Sequence, residues 1–123
     1  MGIWNWWKQD KSNSKPETEA VAPSADLDAL CRVLRELIDL LDADKETHWR
    51  DWMAESLTEL ETNNLRGARH LMGAYGGMGS FNDLIIGQQM TEDGFNWAPN
   101  AGKNNDRLDE LRSQAYNLAK ALL

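Results

Sequence analysis

The sequence contains little of what disulfide-rich, membrane-spanning or nucleic-acid-binding proteins require. Its 123 residues include one cysteine, so no internal disulfide can form, and only three prolines. No apolar run is long enough to span a bilayer, which takes about 20 residues. Basic residues number 13 against 20 acidic ones, and this balance opposes binding to the phosphates of nucleic acid. A lone cysteine suits a reducing compartment, so we expect a cytoplasmic bacterial protein, with peripheral contact to the inner membrane left open.

The sequence also lacks the usual catalytic and metal-binding patterns. It has no HExxH, no P-loop, no paired CxxC and no nucleophile beside a base in a known motif. His48 has no second histidine at a metal-ligand spacing, so we predict no metal site and no cofactor. Cys31 lies within an apolar helical stripe, which favours a buried structural thiol over a nucleophile. We therefore expect a protein that is not an enzyme.

The chain divides into a tryptophan-rich start, a polar stretch and one acidic domain. Residues 1–7, MGIWNWW, hold half of the six tryptophans, and such rings either settle at an interface or pack back onto the domain. Residues 8–23 lack apolar periodicity and are interpreted as a flexible linker. Because the first 23 residues hold three charges of each sign, residues 24–123 carry 10 basic and 17 acidic residues. The candidate membrane or partner contacts in the first segment are Ile3, Trp4, Trp6 and Trp7.

Apolar residues recur at spacings of three and four along most of the domain. This pattern predicts an all-α fold, a single compact bundle of about five helices, in which a glycine-rich turn joins the third helix to a short fourth one. Either Ser24 or Asp26 is suited to cap the first helix. Helices are expected from this cap onward, over about 45–61, 65–75 and 81–86, and from near Asn105 to the end, with a long surface loop at 90–105.

Residues 73–86, GAYGGMGSFNDLII, place four glycines within seven residues. Since glycine readily adopts positive φ, the pattern predicts a tight turn at the end of the third helix. Ser80 is expected to cap the next helix, with Asp83 three residues later as in a capping box. Gly77 is expected to require positive φ, so that Gly77→Val would damage folding. The predicted structural turn consists of Gly76, Gly77, Gly79 and Ser80.

Several side chains in and after this turn are candidate partner contacts. Met78 and Asn82 are expected at the exposed tip of the turn. Phe95 and Trp97 lie in the predicted loop, where aromatic rings either anchor an interface or tuck onto the core. The complete predicted partner-binding set is Tyr75, Met78, Asn82, Asp83, Phe95 and Trp97.

Two further clusters have both a structural and a functional interpretation. Arg66, Arg69 and His70 form the one basic cluster of the acidic domain, which either pairs with neighbouring carboxylates or holds an acidic group of a partner. Trp49 and Trp52 lie on the inner face of the second helix. At helical spacing they are core residues, or they line a pocket together with the glycine turn.

The stretch YGGMGSFNDLII resembles the signature of a small uncharacterised bacterial helical family, a domain of unknown function with a GGMGSFNDL motif. The closing NDRLDELRSQAYNLAKAL is similar to the last helix of that family, so the resemblance covers residues 26–123. It implies a helical fold and no established activity. Size, acidity and helical content also resemble, loosely, small acidic immunity proteins encoded beside bacterial toxins.

These observations favour a non-enzymatic acidic binding protein, most concretely an immunity-type protein that neutralises a bacterial toxin by direct protein–protein binding. An acidic surface steers a basic partner, such as a toxin domain. One alternative is a peripheral membrane or scaffold protein tethered by the tryptophan-rich N-terminus. The other is a small-molecule binder or enzyme with a pocket near the glycine turn. The sequence gives no basis for predicting an oligomeric state.

Overall fold

The computed structural model describes residues 19–123, and the expectations for Ile3, Trp4, Trp6, Trp7 and the rest of residues 1–18 lie outside the described residues. The described chain forms four α-helices, one 3-10 turn and a two-stranded antiparallel sheet. The helices are α1 (Ala25–Ala43), α2 (Thr47–Glu61), α3 (Arg66–Met72) and α4 (Ala101–Leu122). The strands are β1 (Gln88–Thr91) and β2 (Gly94–Trp97), and the 3-10 turn is Phe81–Asp83.

The prediction of an all-α bundle of about five helices is therefore wrong. The predicted short fourth helix is one 3-10 turn, after which Leu84 is extended with ψ 132°. Short isolated helices are marginally stable without tertiary support. Here the residues after the 3-10 turn are held instead by hydrogen bonds to a distant side chain. The backbone N–H of Ile86 donates to Asn105 Oδ1 at 2.9 Å, and Asn105 Nδ2 donates to the Ile86 carbonyl at 2.8 Å.

The predicted surface loop at 90–105 contains instead a β-hairpin and the start of α4. The strands pair from Gln88↔Trp97 to Thr91↔Gly94. Glu92 and Asp93 form the turn, and the Gly94 that follows has φ +104°. An Asp-Gly pair between alternating apolar and polar residues is a strong local signal for a hairpin. This signal is present in the sequence.

Helix α4 begins at Ala101, four residues before the predicted start at Asn105. Asn100 has φ +68° and separates the helix from the preceding chain. Inside the first turns, Asn105 Nδ2 donates to the Ala101 carbonyl at 2.9 Å. The asparagines and glycine of this segment are poor helix formers, so tertiary contacts, not local propensity, place the start of the helix.

Helix α1 lies at the centre of the core. Ser24 Oγ accepts a hydrogen bond from the Leu27 N–H at 3.1 Å, which confirms the predicted cap. Helix α1 packs against α2 and α4, and α3 packs against the same two helices. Cys31 is buried in this core, as predicted, and burial raises the pKa of its thiol. The largest fully buried apolar side chains are Leu30, Leu34, Leu37, Leu41, Met53, Leu60, Leu71, Phe81, Ile86, Leu108 and Leu111.

The chain just before α1 is attached to the turn between α2 and α3. Ala20 forms an antiparallel bridge with Asn64, whose side chain is 5% exposed. Asn64 Oδ1 accepts from the Glu19 N–H at 3.0 Å, and Asn64 Nδ2 donates to Glu59 Oε1 at 2.8 Å. One buried amide therefore joins three segments, and it holds the end of the stretch interpreted as a linker against the domain.

Candidate partner-binding surfaces

The glycine turn, residues 73–80, connects α3 to the 3-10 turn. Of its glycines, Gly79 has positive φ, at +82°. Gly73 ends α3 with φ −64° and is not a left-handed cap. Gly77 does not have positive φ, and a Cβ added to it would meet no atom within 4 Å. The predicted requirement for positive φ at Gly77 is therefore wrong, and the residue that needs it is Gly79.

The two glycines make a matched pair of substitutions. Gly79→Ala is expected to lower the free energy of unfolding by about 1–2 kcal/mol, because an L-residue in the left-handed region clashes with its own carbonyl. Gly77→Ala is expected to leave stability within about 0.5 kcal/mol of wild type, as is usual for open surface positions. Urea unfolding of both variants measures the difference. An equal loss in both would contradict the assignment of the strained position to Gly79.

Ser80 and Asp83 hold the 3-10 turn in place. Ser80 Oγ accepts from the Asn82 N–H at 3.3 Å, so Ser80 caps the turn as predicted. Asp83 Oδ2 accepts from the Gly79 N–H at 2.8 Å, one residue before the position reached in a standard capping box. The Asp83 carboxylate is thus hydrogen-bonded within the turn, although its side chain is exposed.

Tyr75 is a partly buried residue at the edge of a cleft. Its hydroxyl donates to the Arg112 carbonyl at 2.7 Å. Its ring lies 5.2 Å from the Tyr116 ring and 5.8 Å from the Phe81 ring, between centroids. Burial raises the pKa of Tyr75 above its ordinary value, and the nearby Arg112 guanidinium partly opposes this rise. The phenol therefore stays protonated at pH values where an exposed tyrosine ionises.

This raised pKa predicts a loss of stability at alkaline pH. Above about pH 10, the ordinary tyrosine pKa, the unfolded chain releases the Tyr75 proton while the folded chain keeps it. Stability is then present below pH 10 and falls as the pH rises towards the pKa of the folded state. Urea unfolding at pH 8 and above pH 10 should show a smaller loss for Tyr75→Phe than for wild type. Identical losses in the two proteins would contradict the prediction.

The cleft beside Tyr75 has a volume of about 460 Å³ and opens between α4 and the glycine turn. Arg112 donates to the Phe81 carbonyl at 2.7 Å and the Leu84 carbonyl at 3.0 Å, and it pairs with Asp109. The Arg112 guanidinium is therefore already engaged in hydrogen bonds and an ion pair within the domain. The lining residues are Tyr75, Gly76, Asn82, Arg112, Ser113, Tyr116 and Asn117.

The two tryptophans of α2 have different surroundings. Trp52 Nε1 donates to the His70 carbonyl at 2.8 Å, and its ring stacks on the His70 imidazole with centroids 4.3 Å apart. Trp49 packs against Phe81 at 5.3 Å between centroids and lines a groove of about 310 Å³ beside Gly79. Of the two predicted pocket residues, Trp49 thus lies next to the glycine turn and Trp52 packs against α3.

The basic cluster of α3 lies against carboxylates of the same chain. Of the two interpretations of this cluster, the structure therefore shows pairing with neighbouring carboxylates. The pairs are Arg69 with Glu19, Arg66 Nη1 with Glu59 Oε2 at 3.7 Å, and His70 Nδ1 with Glu55 Oε2 at 3.7 Å.

The hairpin exposes a group of apolar side chains on one face. Met90 is 79% exposed, Phe95 50% and Trp97 52%. Met90 pairs with Phe95 across the strands, and residues two apart in a strand share a face, so all three side chains lie together. The Phe95 and Trp97 rings contact edge to face, with centroids 5.1 Å apart. We call this the aromatic face. Its rings do not tuck onto the core.

The six predicted partner contacts therefore lie in several places. Phe95 and Trp97 share the aromatic face, Tyr75 and Asn82 line the cleft, Met78 is 98% exposed on the glycine turn, and Asp83 bonds within that turn. Met90 is not among the predicted contacts, although the hairpin register places it opposite Phe95. The alternation of Met90, Phe95 and Trp97 with polar residues is the signal that identifies it.

Residues 19–123 contain no group of three or more histidine, cysteine or carboxylate side chains placed to hold a metal ion. In that same range, no helix combines the length and apolar character needed to cross a bilayer.

Comparison with known proteins gives one match. A family model described as a domain of unknown function (DUF6966) matches residues 42–93. This range runs from the end of α1 to the turn of the hairpin and includes the GGMGSFNDL stretch. It is shorter than the resemblance expected over residues 26–123. No curated protein and no solved structure matches the chain. Residues 42–93 are thus similar to a domain whose function is not established.

Proposed function

We propose that this protein is a non-enzymatic binding protein with a basic protein as its partner, acting as an immunity-type protein that neutralises a toxin by direct contact. The main support for this proposal is that exposed apolar side chains and acidic residues lie in the same segment of the chain. Residues 71–102 contain Asp83, Glu92 and Asp93 and no Lys, Arg or His. Five of the six exposed large apolar side chains of the described chain lie in this segment: Met78, Ile85, Met90, Phe95 and Trp97.

Exposed apolar residues that lie together in space, as Met90, Phe95 and Trp97 do, indicate a binding surface, because isolated ones are normal and groups are rare on monomeric proteins. Aromatic and methionine side chains are also enriched at protein–protein interfaces. The absence of basic side chains over 32 consecutive residues of the sequence means that this segment contributes only negative potential. A partner that covers it without like-charge repulsion is therefore neutral or basic at its contact surface.

Charge pairing in the rest of the domain leaves an excess of negative charge. Six of its ten basic residues are arginines that pair with carboxylates of the same chain. The pairs are Arg35–Glu61, Arg50 with Asp42 and Asp51, Arg66–Glu59, Arg69–Glu19, Arg107 with Glu36 and Glu110, and Arg112–Asp109. Because residues 24–123 hold 17 acidic and 10 basic residues, a net negative charge remains after this pairing. It speeds the approach of a basic partner at low ionic strength.

The experiment that tests the proposal is capture of a partner on the tagged full-length protein, followed by binding measurements with the purified pair. We expect a stoichiometric basic protein whose association rate falls as salt rises, because surface charges are screened. If that protein has toxic activity, a one-to-one mixture should abolish the activity. Failure to recover any protein, or recovery of an acidic one with salt-independent association, would contradict the proposal.

A paired set of charge variants makes this test specific. Glu92→Gln combined with Asp93→Asn removes the charges of the hairpin turn, and the expected result is slower association with the partner. The matched control is Asp39→Asn combined with Asp26→Asn, which removes two exposed carboxylates of α1 outside the 71–102 segment. An equal slowing in both double variants would show that only net charge matters, not its location.

A further inference from the structure

The hairpin is an unusual element for a domain of this size because its faces are not covered. Each residue of β1 is exposed, and β2 is exposed except at the partly buried Gly94. A two-stranded hairpin alone is at best marginally stable in water. This one is fastened at its base, where the Ala98 N–H donates to the Gly87 carbonyl at 2.7 Å and the Gly87 N–H donates to Asp44 Oδ1 at 2.9 Å. A second set of bonds orders its tip.

At the tip, Thr91 acts as the centre of a small network. Its Oγ1 donates to the Gly94 carbonyl at 3.1 Å and accepts from Asn96 Nδ2 at 2.7 Å and from the Asp93 N–H at 3.3 Å. Asn96 pairs with Gln89, so these polar side chains occupy the face opposite Met90, Phe95 and Trp97. The hairpin is therefore two-sided, with one face used to order the turn and the other left apolar and open.

The hairpin has two features that attract a positive charge. The edge-to-face contact of Phe95 and Trp97 is compatible with an accessible π-surface, since Trp97 is 52% exposed. An aromatic ring attracts a cation through its quadrupole, and tryptophan does so most strongly. The turn between the strands carries Glu92 and Asp93, both exposed. The register places Trp97 at the base of the hairpin, opposite Gln88, and the carboxylates at its tip. A partner with basic side chains at two points along the hairpin therefore meets both kinds of favourable interaction.

We infer that the aromatic face is the contact site for the basic partner, and that one lysine or arginine side chain of that partner packs on Trp97 while another pairs with the Glu92–Asp93 turn. This inference rests on the proposed function and specifies its site. A second copy of the chain is disfavoured, because its own residues 71–102 supply no basic side chain to pair with Glu92 and Asp93. An anionic lipid surface is disfavoured for the same reason.

The test is a titration of the captured partner against variants of the full-length protein, read by calorimetry. Trp97→Ala is expected to weaken binding by about 30-fold or more, as for an interface hot spot. Trp97→Leu keeps an apolar side chain but loses the π-surface, so it is expected to weaken binding by about 3- to 30-fold. Gln89→Ala, on the opposite face of the same strand pair, is the matched control and should bind within about twofold of wild type.

Amide NMR shifts of Thr91 and Gly94 show in each variant whether the hairpin still forms. A partner that binds Trp97→Ala and Phe95→Ala as tightly as wild type, with the hairpin intact, would overturn this inference and leave the proposed function standing. Equal binding by Trp97→Leu and wild type would overturn the cation contact. Self-association of wild type, or its binding to lipid vesicles, abolished by Trp97→Ala would show that the occupant named here is wrong. If no partner is captured, the proposed function itself fails.

Discussion

Replacing Phe81 by alanine is expected to lower the free energy of unfolding by about 3–5 kcal/mol, the usual range for loss of a buried phenylalanine. Phe81 is fully buried. Its ring contacts Trp49 and Tyr75, and the Arg112 guanidinium carbon lies 5.9 Å from the ring centre. Alanine would leave a cavity where α2, α4 and the glycine turn meet. Because domains are stable by only about 5–15 kcal/mol, this variant loses a large share of the total.

Met78→Ala provides the control for Phe81→Ala. It removes a large apolar side chain from the same turn, but Met78 is 98% exposed, so stability should stay within about 0.5 kcal/mol of wild type. Urea unfolding of the two variants compares them directly. A small effect of Phe81→Ala would show that the glycine turn does not serve to place this ring. In that case the GGMGSFNDL stretch would need another explanation than packing.

Gly67→Ala is the second substitution with a large expected effect. A Cβ added to Gly67 in α3 would lie 2.5 Å from the Ser56 carbonyl oxygen and 2.6 Å from Leu60 Cγ in α2. Neither neighbour can move freely, since Ser56 is 0% and Leu60 1% exposed. The two helices must separate, and overpacking of this kind costs about 1–3 kcal/mol or more. We expect a loss near 3 kcal/mol and a melting temperature lower by roughly 10 °C.

The matched control for Gly67→Ala is Gly102→Ala. Gly102 lies within α4, and a Cβ added to it would meet no atom within 4 Å. Alanine at this open position in the first turn of α4 should raise stability by less than about 1 kcal/mol, the difference from glycine in a helix interior. The two variants thus make the same chemical change with opposite expected signs. A stable Gly67→Ala protein would mean that α2 and α3 do not approach each other as closely as the structure shows.

The parts of the fold that local patterns predicted correctly are the ones with long periodic stripes. The first helix and its buried face follow from a repeat of three and four residues, and so does the burial of Cys31. The cap is Ser24, one of the two predicted candidates. The second helix was also predicted, although it begins two residues later, at Thr47. Lys45 lies just before it with φ +61°. This left-handed conformation of Lys45 does not occur within an α-helix, so it sets the start of α2. No side-chain pattern in the sequence predicts this boundary.

The incorrect predictions fall where segments are short. The 3-10 turn at Phe81–Asp83 has a cap, an acidic residue and an apolar run, all of which also occur at the start of a longer helix. What ends it is the bonding of Ile86 to Asn105, 19 residues further along the chain. The hairpin escapes prediction for a different reason, because its Asp-Gly signal lies among asparagines and glycines that are equally typical of a surface loop. A strand length of four residues leaves little periodicity to detect.

The sequence by itself determined the charge balance, the apolar stripes of the four helices and the presence of a tight turn at residues 73–80, and it limited the cap of the first helix to Ser24 or Asp26. These depend on composition and on neighbours a few residues apart. The tertiary structure alone decided which glycine of the turn has positive φ, which glycine lies where α2 and α3 pack most closely, and which carboxylates pair with the basic cluster. It also decided that Phe95 and Trp97 face outwards. The exposure of a side chain depends on what distant segments cover it, and local sequence does not contain that information.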